Sequence, residues 1–401
     1  MYVKMKNFEY YNPVRVIFGA GEVSRCGEET KKLGTKVCLV SYKELSFLKP
    51  LLERIEDLLA KEGLSVYPFY EIEENPEITV VAAGVDLCRK QGIDLVIGVG
   101  GGSAMDAAKA IAAGVYYKGD LWQMVYSRHS VVSAIPPEKS LPTMMIPTLP
   151  ATGSEMNLCA VVSNRALQEK SYIWAPCLYP KTSIIDPELT VSLPPFQTAC
   201  AAADTISHVL EIYLNGEDDS DLQHYFQEGV MRTVMDNIDK VLADPKNISA
   251  RSHLQWAATC AINGWASPGD AWTPIHQVGH VLTALYKVPH GASLAILMPA
   301  WMEVMYPRKK DVYFRFATHV MGISPDGKSQ EEVIREGITS FKTFLKRIGT
   351  PLSLTDMQVK NPDIPLIVQQ VVKISFGSDG YLACNPPVSQ EDIIEVLNKV
   401  L

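Results

Sequence analysis

A chain of 401 residues, 47% hydrophobic and 20% charged, is a folded protein of about two domains, each able to bury its own apolar interior, and not a disordered or fibrous chain. Its formal net charge of -8, with scattered lysines and arginines, excludes the basic stripe that tracks phosphate backbones, so no nucleic-acid partner is expected. The opening MYVKMKNFEYYNPVRVIF has no signal-peptide core, and no run reaches the roughly 20 apolar residues of a spanning helix, so a cytoplasmic protein with no membrane partner is expected.

From the N-terminus, short apolar runs alternate with helical patterns. The runs cover Val14 to Phe18, Lys36 to Ser41, Ser65 to Tyr70, Asp94 to Gly100 and Thr143 to Pro147, and between them Leu48 to Glu62 and Thr79 to Gln91 repeat apolar residues at three and four. That rhythm predicts parallel strands joined by crossover helices, a Rossmann-like α/β sheet. After the run at Ser183 to Leu189 and the pair Pro194 and Pro195, strand-like segments nearly vanish. Helical patterns then cover Phe196 to Leu214, Leu222 to Ala243, Ser252 to Trp265, Glu331 to Ile348 and Gln390 to Leu401. The predicted boundary falls at Leu193, dividing an α/β domain over 1–193 from an all-helical domain over 194–401. The eight cysteines, irregularly spaced and without a C-x-x-C pair, read as reduced packing residues.

In DLVIGVGGGSAMDAAKAIA an apolar strand runs into an alanine-rich helix, with Gly98, Gly100, Gly101 and Gly102 at the turn and Ser103 at the helix start. Glycines there let the backbone approach a ligand, and free amides at the positive helix end suit a diphosphate; a tight structural turn is the competing reading. Ser103 caps the helix in both readings, and Asp106 and Lys109 stand either to reach a ribose or to face water. A second strand-to-loop segment, IPTLPATGSEMN from Ile146 to Asn157, carries hydroxyls suited to a ribose or an amide. By itself it reads as a turn with a side-chain cap before Glu155.

In the helical half, Asp204 and His208 are four apart in AAADTISHVLEIYL and share a helix face. Further on, HQVGHVLTALYKVPHG places His276 and His280 four apart and His290 at its end, so four of the eight histidines lie in these two segments. One such pair is ordinarily a satisfied polar contact; two together point to zinc or ferrous iron, which favour nitrogen and carboxylate ligands. His129, His224, His253 and His319 read as surface or core residues, and the acidic run from Gly216 to Asp221 as a solvated loop.

Taken in order, GGGSAMDAAKA, PTLPATGSE, D-x-x-x-H followed by V-L-E, and H-x-x-x-H closed by PHG resemble the iron-containing alcohol dehydrogenase family. The likeness runs from NPVRVIFGAGE through PHGASLAILMP, about three quarters of the chain. GSEMN and GHVLTA bring it nearest the butanol dehydrogenase and aldehyde reductase branch. The resemblance implies a dehydroquinate synthase-like architecture, a dinucleotide-binding domain followed by an all-α metal-binding domain. It implies metal ligation by Asp204, His208, His276 and His290, with His280 left near the nicotinamide and substrate. It places Gly101, Gly102 and Ser103 at the diphosphate, Asp106 beside them, Thr148 and Leu193 on the adenine side, Thr152 and Asn157 toward the nicotinamide, and Lys170 as a further contact. It also implies a homodimer formed through the N-terminal strand segment. Ala203 stands where many relatives keep a glycine before the ligand aspartate, a change that adds only a methyl.

In LVSYKELSF, NAD-specific relatives present an aspartate to the adenosine ribose. Tyr42 and Lys43 would not repel a 2′-phosphate, and Lys43 would pair with it, which favours NADP; the glycine run of NADP-preferring relatives is missing, which keeps NAD open. The implied reaction passes a hydride between the nicotinamide and a small alcohol or aldehyde. Its oxygen is polarised by Fe2+, the family expectation, or by Zn2+, which the same ligands suit. His280 relays the proton or simply packs beside the cofactor, and Trp265, Trp272 and Ile275 read equally as substrate wall or as core. Two rival functions are a glycerol or polyol dehydrogenase of the same architecture, and a metal-dependent hydrolase in which the glycine turn is purely structural.

Overall fold

The computed structural model describes residues 7–44, 46–126, 134–216, 220–267 and 273–401. His129, Trp272 and the middle of the acidic run, 217–219, lie outside the described residues. The chain forms two compact units, one of Tyr11–Leu193 with Pro245–Thr259, the other of Pro194–Asp244 with Cys260–Leu401 and, at the N-terminus, the described residues 7–10.

The first unit runs β1 (Arg15–Phe18), α1 (Cys26–Lys31), β2 (Lys36–Tyr42), α2 (Lys49–Lys61), β3 (Ser65–Ile72), α3 (Ile78–Gln91), β4 (Leu95–Gly100), α4 (Gly102–Gly114), β5 (Thr143–Pro147), β6 (Cys159–Asn164), β7 (Glu169–Trp174) and β8 (Thr182–Ile185). Six strands pair in parallel in the order β1-β8-β5-β4-β2-β3. The central strand β4 is buried at every residue, as its unbroken LVIGVG run requires of a strand covered on both faces. On one face α2 inserts Leu52, Ile55 and Leu59 against Val37, Leu39, Ile97 and Val99; on the other, α3 and α4 pack against Cys38, Val40, Val96 and Met145. The chain therefore leaves β2 for one face and the adjacent β4 for the other, which opens a crevice between their carboxyl ends, the switch point at which such sheets bind ligands. The alanines of α4 and the bare Gly98 bring helix and strand close: a Cβ on Gly98 would stand 2.9 Å from that of Ala108.

An antiparallel hairpin of β6 and β7, in register from Cys159↔Trp174 to Asn164↔Glu169, was not anticipated from the sequence. Its turn lacks an Asn-Gly or Asp-Gly signal and closes instead through Gln168 at φ 54°.

The chain continues through α5 (Pro195–Asn215), α6 (Asp221–Ala243), α7 (Ile248–Ala261), α8 (Pro274–Tyr286), α9 (His290–Met305), α10 (Lys310–Arg315), α11 (Gln330–Arg347), α12 (Ile364–Ser375) and α13 (Gln390–Asn398), all but most of α7 belonging to the second unit. Helix α5 is buried along nearly its whole length and packs on α6 and α9, while α8 packs on α9 and α12. Residues 245–259, which the sequence assigned to the helical half, cluster with the sheet. Buried polar bonds hold them there: Arg251 Nη1 donates to Thr190 Oγ1 at 3.3 Å, and Thr259 Oγ1 donates to Glu155 Oε1 at 2.5 Å. No helix among the described residues is long and apolar enough to cross a membrane.

Candidate active site

Asp204, His208 and Glu211 rise from one stripe of α5, at positions i, i+4 and i+7. Opposite them stand His276 in the first turn of α8 and His290, the first residue of α9. Lys287, left-handed at φ 57°, ends α8 so that the short Val288–Pro289 link can start α9 at the histidine. Gly291 lets that start lie directly on α5, since a Cβ there would come within 2.3 Å of the Cys200 carbonyl oxygen.

Three imidazoles converge on one carboxylate oxygen. The Nε2 atoms of His208, His276 and His290 stand 3.7, 3.6 and 3.7 Å from Asp204 Oδ1. These separations are too long for hydrogen bonds and close to the ~3.4 Å edge of a tetrahedron whose metal–ligand bonds are about 2.1 Å. The buried Nε2 of His276 has no hydrogen-bond partner. Among the described residues, Asp204, His276 and His290 form a group able to hold a metal, with ligand atoms all within 4.8 Å of one another; His208 joins through Asp204 and stacks on His276 with ring centroids 4.7 Å apart. The residues therefore fit a divalent cation. Burial pushes His208 down to about 4, which keeps it neutral with a lone pair to give. Burial also pulls on His276, but the Glu211 and Asp204 carboxylates outweigh it and raise it to about 9, so a bound cation takes the place of a proton there. His280, one turn beyond His276, stands beside the group with its ring 5.2 Å from that of His290. Ile275 is fully buried, and Trp265 is half exposed against Tyr10.

Sequence reasoning missed Glu211. Completely buried, it accepts Ser207 Oγ (2.7 Å) and His276 Nδ1 (2.5 Å) on Oε1, and the amides of Ile275 (2.6 Å) and His276 (3.1 Å) on Oε2. The available signal was the glutamate of V-L-E, three residues after His208 and on the same stripe as Asp204.

In the α/β unit, Gly101, Gly102 and Ser103 open α4 at the carboxyl end of β4, and Tyr42 ends the neighbouring β2. The Tyr42 ring lies over Gly100, whose Cβ would meet it at 2.7 Å, and its hydroxyl sits against Ser103 and the Ala104 amide; burial pushes that hydroxyl up to about 12. Thr148 is buried and its amide donates to the Gly100 carbonyl at 2.9 Å. Thr152 faces Gly102 and accepts the Ser154 amide on Oγ1 at 3.3 Å, a side-chain turn. Lys170 donates from Nζ to Asn75 Oδ1 at 2.8 Å, and the Asn75 amide donates to Ser103 Oγ, so Asn75 ties β7 to the turn. Asp106 and Asn157, expected at the cofactor, are buried and bond within the protein. Asp106 accepts Ser154 Oγ and the Val161 amide, and Asn157 accepts Lys109 while donating to the carbonyls of Thr152 and Gly153. Their loop needs buried partners for its own backbone, and these side chains provide them. Lys43 Nζ lies 3.7 Å from Glu71 Oε2 on the surface, and Leu193 is buried at the end of the unit.

Comparison with known proteins matches residues 13–187 to the family described as iron-containing alcohol dehydrogenase, and residues 198–401 to the C-terminal domain of the same family. NADH-dependent butanol dehydrogenase A of Clostridium acetobutylicum is 36% identical over 98% of this chain and 100% of its own. The NADPH-dependent aldehyde reductase YqhD of Escherichia coli is 31% identical over 92% of this chain and 93% of its own. The crystal structure of NADH-dependent butanol dehydrogenase A from Thermotoga maritima superposes with a TM-score of 0.92 at 35% identity, over 99% of both chains. With both halves matched in order over nearly the full length, the chain belongs to the iron-containing alcohol dehydrogenase family.

Proposed function

We propose that this protein interconverts small aldehydes and alcohols with a nicotinamide dinucleotide as hydride carrier and a divalent cation, ferrous iron, in the α5–α8–α9 site. The observation that carries this reading is the convergence of three imidazole Nε2 atoms on the Asp204 carboxylate. When bound, the cation supplies a Lewis acid for the substrate oxygen. Asp204 contributes the single negative charge of the ligand set, and His208, His276 and His290 contribute neutral lone pairs. His280, beside the ligands and outside their tight group, takes or returns the alcohol proton. The Gly101–Ser103 turn at the β2/β4 crevice holds the diphosphate, its amides aligned at the N-terminus of α4.

For the nucleotide, NADH is the better reading of the crevice than NADPH. Lys43, the residue that would favour a 2′-phosphate, lies 3.7 Å from Glu71, whose carboxylate would repel such a group and offset the attraction of the lysine. Binding of the reduced nicotinamide separates this reading from a hydrolase, which has no use for a hydride carrier. The test is oxidation of NADH and of NADPH by butyraldehyde, using metal-stripped protein reconstituted anaerobically with ferrous iron or with zinc. Turnover that requires added metal is expected, fastest with ferrous iron and NADH; no turnover under any pairing sinks the proposal.

A further inference from the structure

We infer that Glu211 is a positioning residue that fixes the tautomer of His276, and that it does so by gripping the imidazole and the start of its helix with the two oxygens of one carboxylate. The inference rests on the metal reading of the site.

Helix α8 opens with Pro274 and has no side-chain cap of its own, since Thr273 makes no capping bond. The amides of Ile275 and His276 are orphan donors of that first turn. Both are taken by Glu211 Oε2, from a different helix, at 2.6 and 3.1 Å. The other oxygen accepts His276 Nδ1 at 2.5 Å and Ser207 Oγ at 2.7 Å. A carboxylate only accepts, so Nδ1 must carry a proton, and in the neutral ring that ligates a metal the lone pair is then on Nε2. That Nε2 is the buried atom without a hydrogen-bond partner, 3.6 Å from Asp204 Oδ1. Because the same carboxylate holds the backbone of residues 275 and 276, the ring is fixed relative to its own main chain as well as in tautomer. His208 has no comparable support: its Nδ1 is buried without a partner. The four-way grip thus distinguishes His276 from His208, and it is the arrangement by which outer carboxylates orient metal-binding imidazoles.

Glu211→Gln separates positioning from folding. Its amide oxygen can still accept the two backbone amides, which leaves the NH2 group facing Nδ1. The ring must then turn Nδ1 into an acceptor and place its proton on Nε2, where it blocks ligation. Two readouts follow, neither of which is turnover. In 15N-histidine-labelled protein without metal, at about pH 10 where the His276 ring, raised to about 9, is neutral, wild type is expected to show one histidine, lost in His276→Ala, held as the Nδ1–H form, and Glu211→Gln is expected to convert it to the Nε2–H form. In chelator competition with zinc, Glu211→Gln is expected to lose about 10- to 100-fold in affinity, and to lose nothing further in a His276→Ala background, because it acts only through that ring. An unchanged tautomer, or an equal loss of affinity in both backgrounds, overturns the inference in favour of a purely structural carboxylate. Should Glu211→Gln fail to fold, wild type showing the Nε2–H form at His276 overturns it alone. Wild type that binds no zinc at all sinks the metal reading instead, which keeps the two failures apart.

Discussion

Lys109 clasps Asn157 twice, donating from Nζ to its backbone oxygen at 2.8 Å and to its side-chain oxygen at 3.0 Å, although the lysine is completely buried. A third bond, to the Cys159 carbonyl at 2.9 Å, uses its last donor. One cation thus pins the loop that carries Thr152 against Gly102, and the sequence reading that turned this lysine toward a ribose or water is replaced by an inward one.

Burial pushes the Lys109 ammonium down to about 8, with Asp106 opposing. For a base with a depressed folded value, both states are charged below pH 8 and the full cost of burying the charge is present. Between that value and the ordinary lysine range near 10.4, the unfolded chain keeps a proton that the folded chain releases, so stability rises with pH. Relative to Lys109→Met, wild type is therefore expected to gain on the order of 3 kcal/mol between pH 8 and 10.5. Guanidinium unfolding of both proteins across that range measures it, and a flat or falling difference contradicts the assignment.

The ligand and relay residues are expected to divide by metal content. His276→Ala should lose more than about 100-fold in metal affinity, beyond what an outer partner alone costs. His280→Ala should keep its metal and lose about 10²- to 10⁴-fold in turnover, as a positioned acid–base group does. Metal analysis beside steady-state rates separates the two, and a His280→Ala enzyme with normal turnover across pH removes the relay.

At Gly291 the constraint is spatial. An added methyl would stand 2.3 Å from the Cys200 carbonyl oxygen, a backbone atom that can retreat only by moving α5. Gly291→Ala is expected to destabilise the protein by about 1–3 kcal/mol and to weaken metal binding through the neighbouring His290. A melting temperature equal to wild type in metal-free protein would falsify this reading.

The Tyr42 hydroxyl sits against the Ala104 amide at the N-terminus of α4, among the amides expected to hold the diphosphate. Cofactor must displace that contact. Tyr42→Phe is accordingly expected to bind NADH about two- to tenfold more tightly, the worth of one hydrogen bond. Nicotinamide fluorescence titration reads the constant directly, and weaker binding would mean that the hydroxyl serves the cofactor.

Local features were legible without the fold. The spacing of Asp204 to His208 and of His276 to His280 places side chains on helix faces whatever surrounds them, because helical periodicity is set within one turn. The strand-to-glycine-to-helix passage at residues 95–114 is likewise a property of adjacent residues. By contrast, the β6–β7 hairpin carried too short an alternation and too unusual a turn to be read.

What the sequence determined by itself was the kind of elements present, their order, and the types of side chain available for ligation, since these follow from composition and from spacings of three and four. Only the tertiary structure decided which side chains meet. It drew His276 and His290 to Asp204 across 72 and 86 positions of chain, and it gave Glu211 an imidazole and two amides 64 and 65 positions away. It joined Lys109 to Asn157 and Asp106 to Val161 in buried hydrogen bonds, and it carried residues 245–259 onto the sheet unit. The reason is physical: a buried polar group must find partners wherever packing places it, and which partners those are depends on contacts between segments that no local spacing encodes.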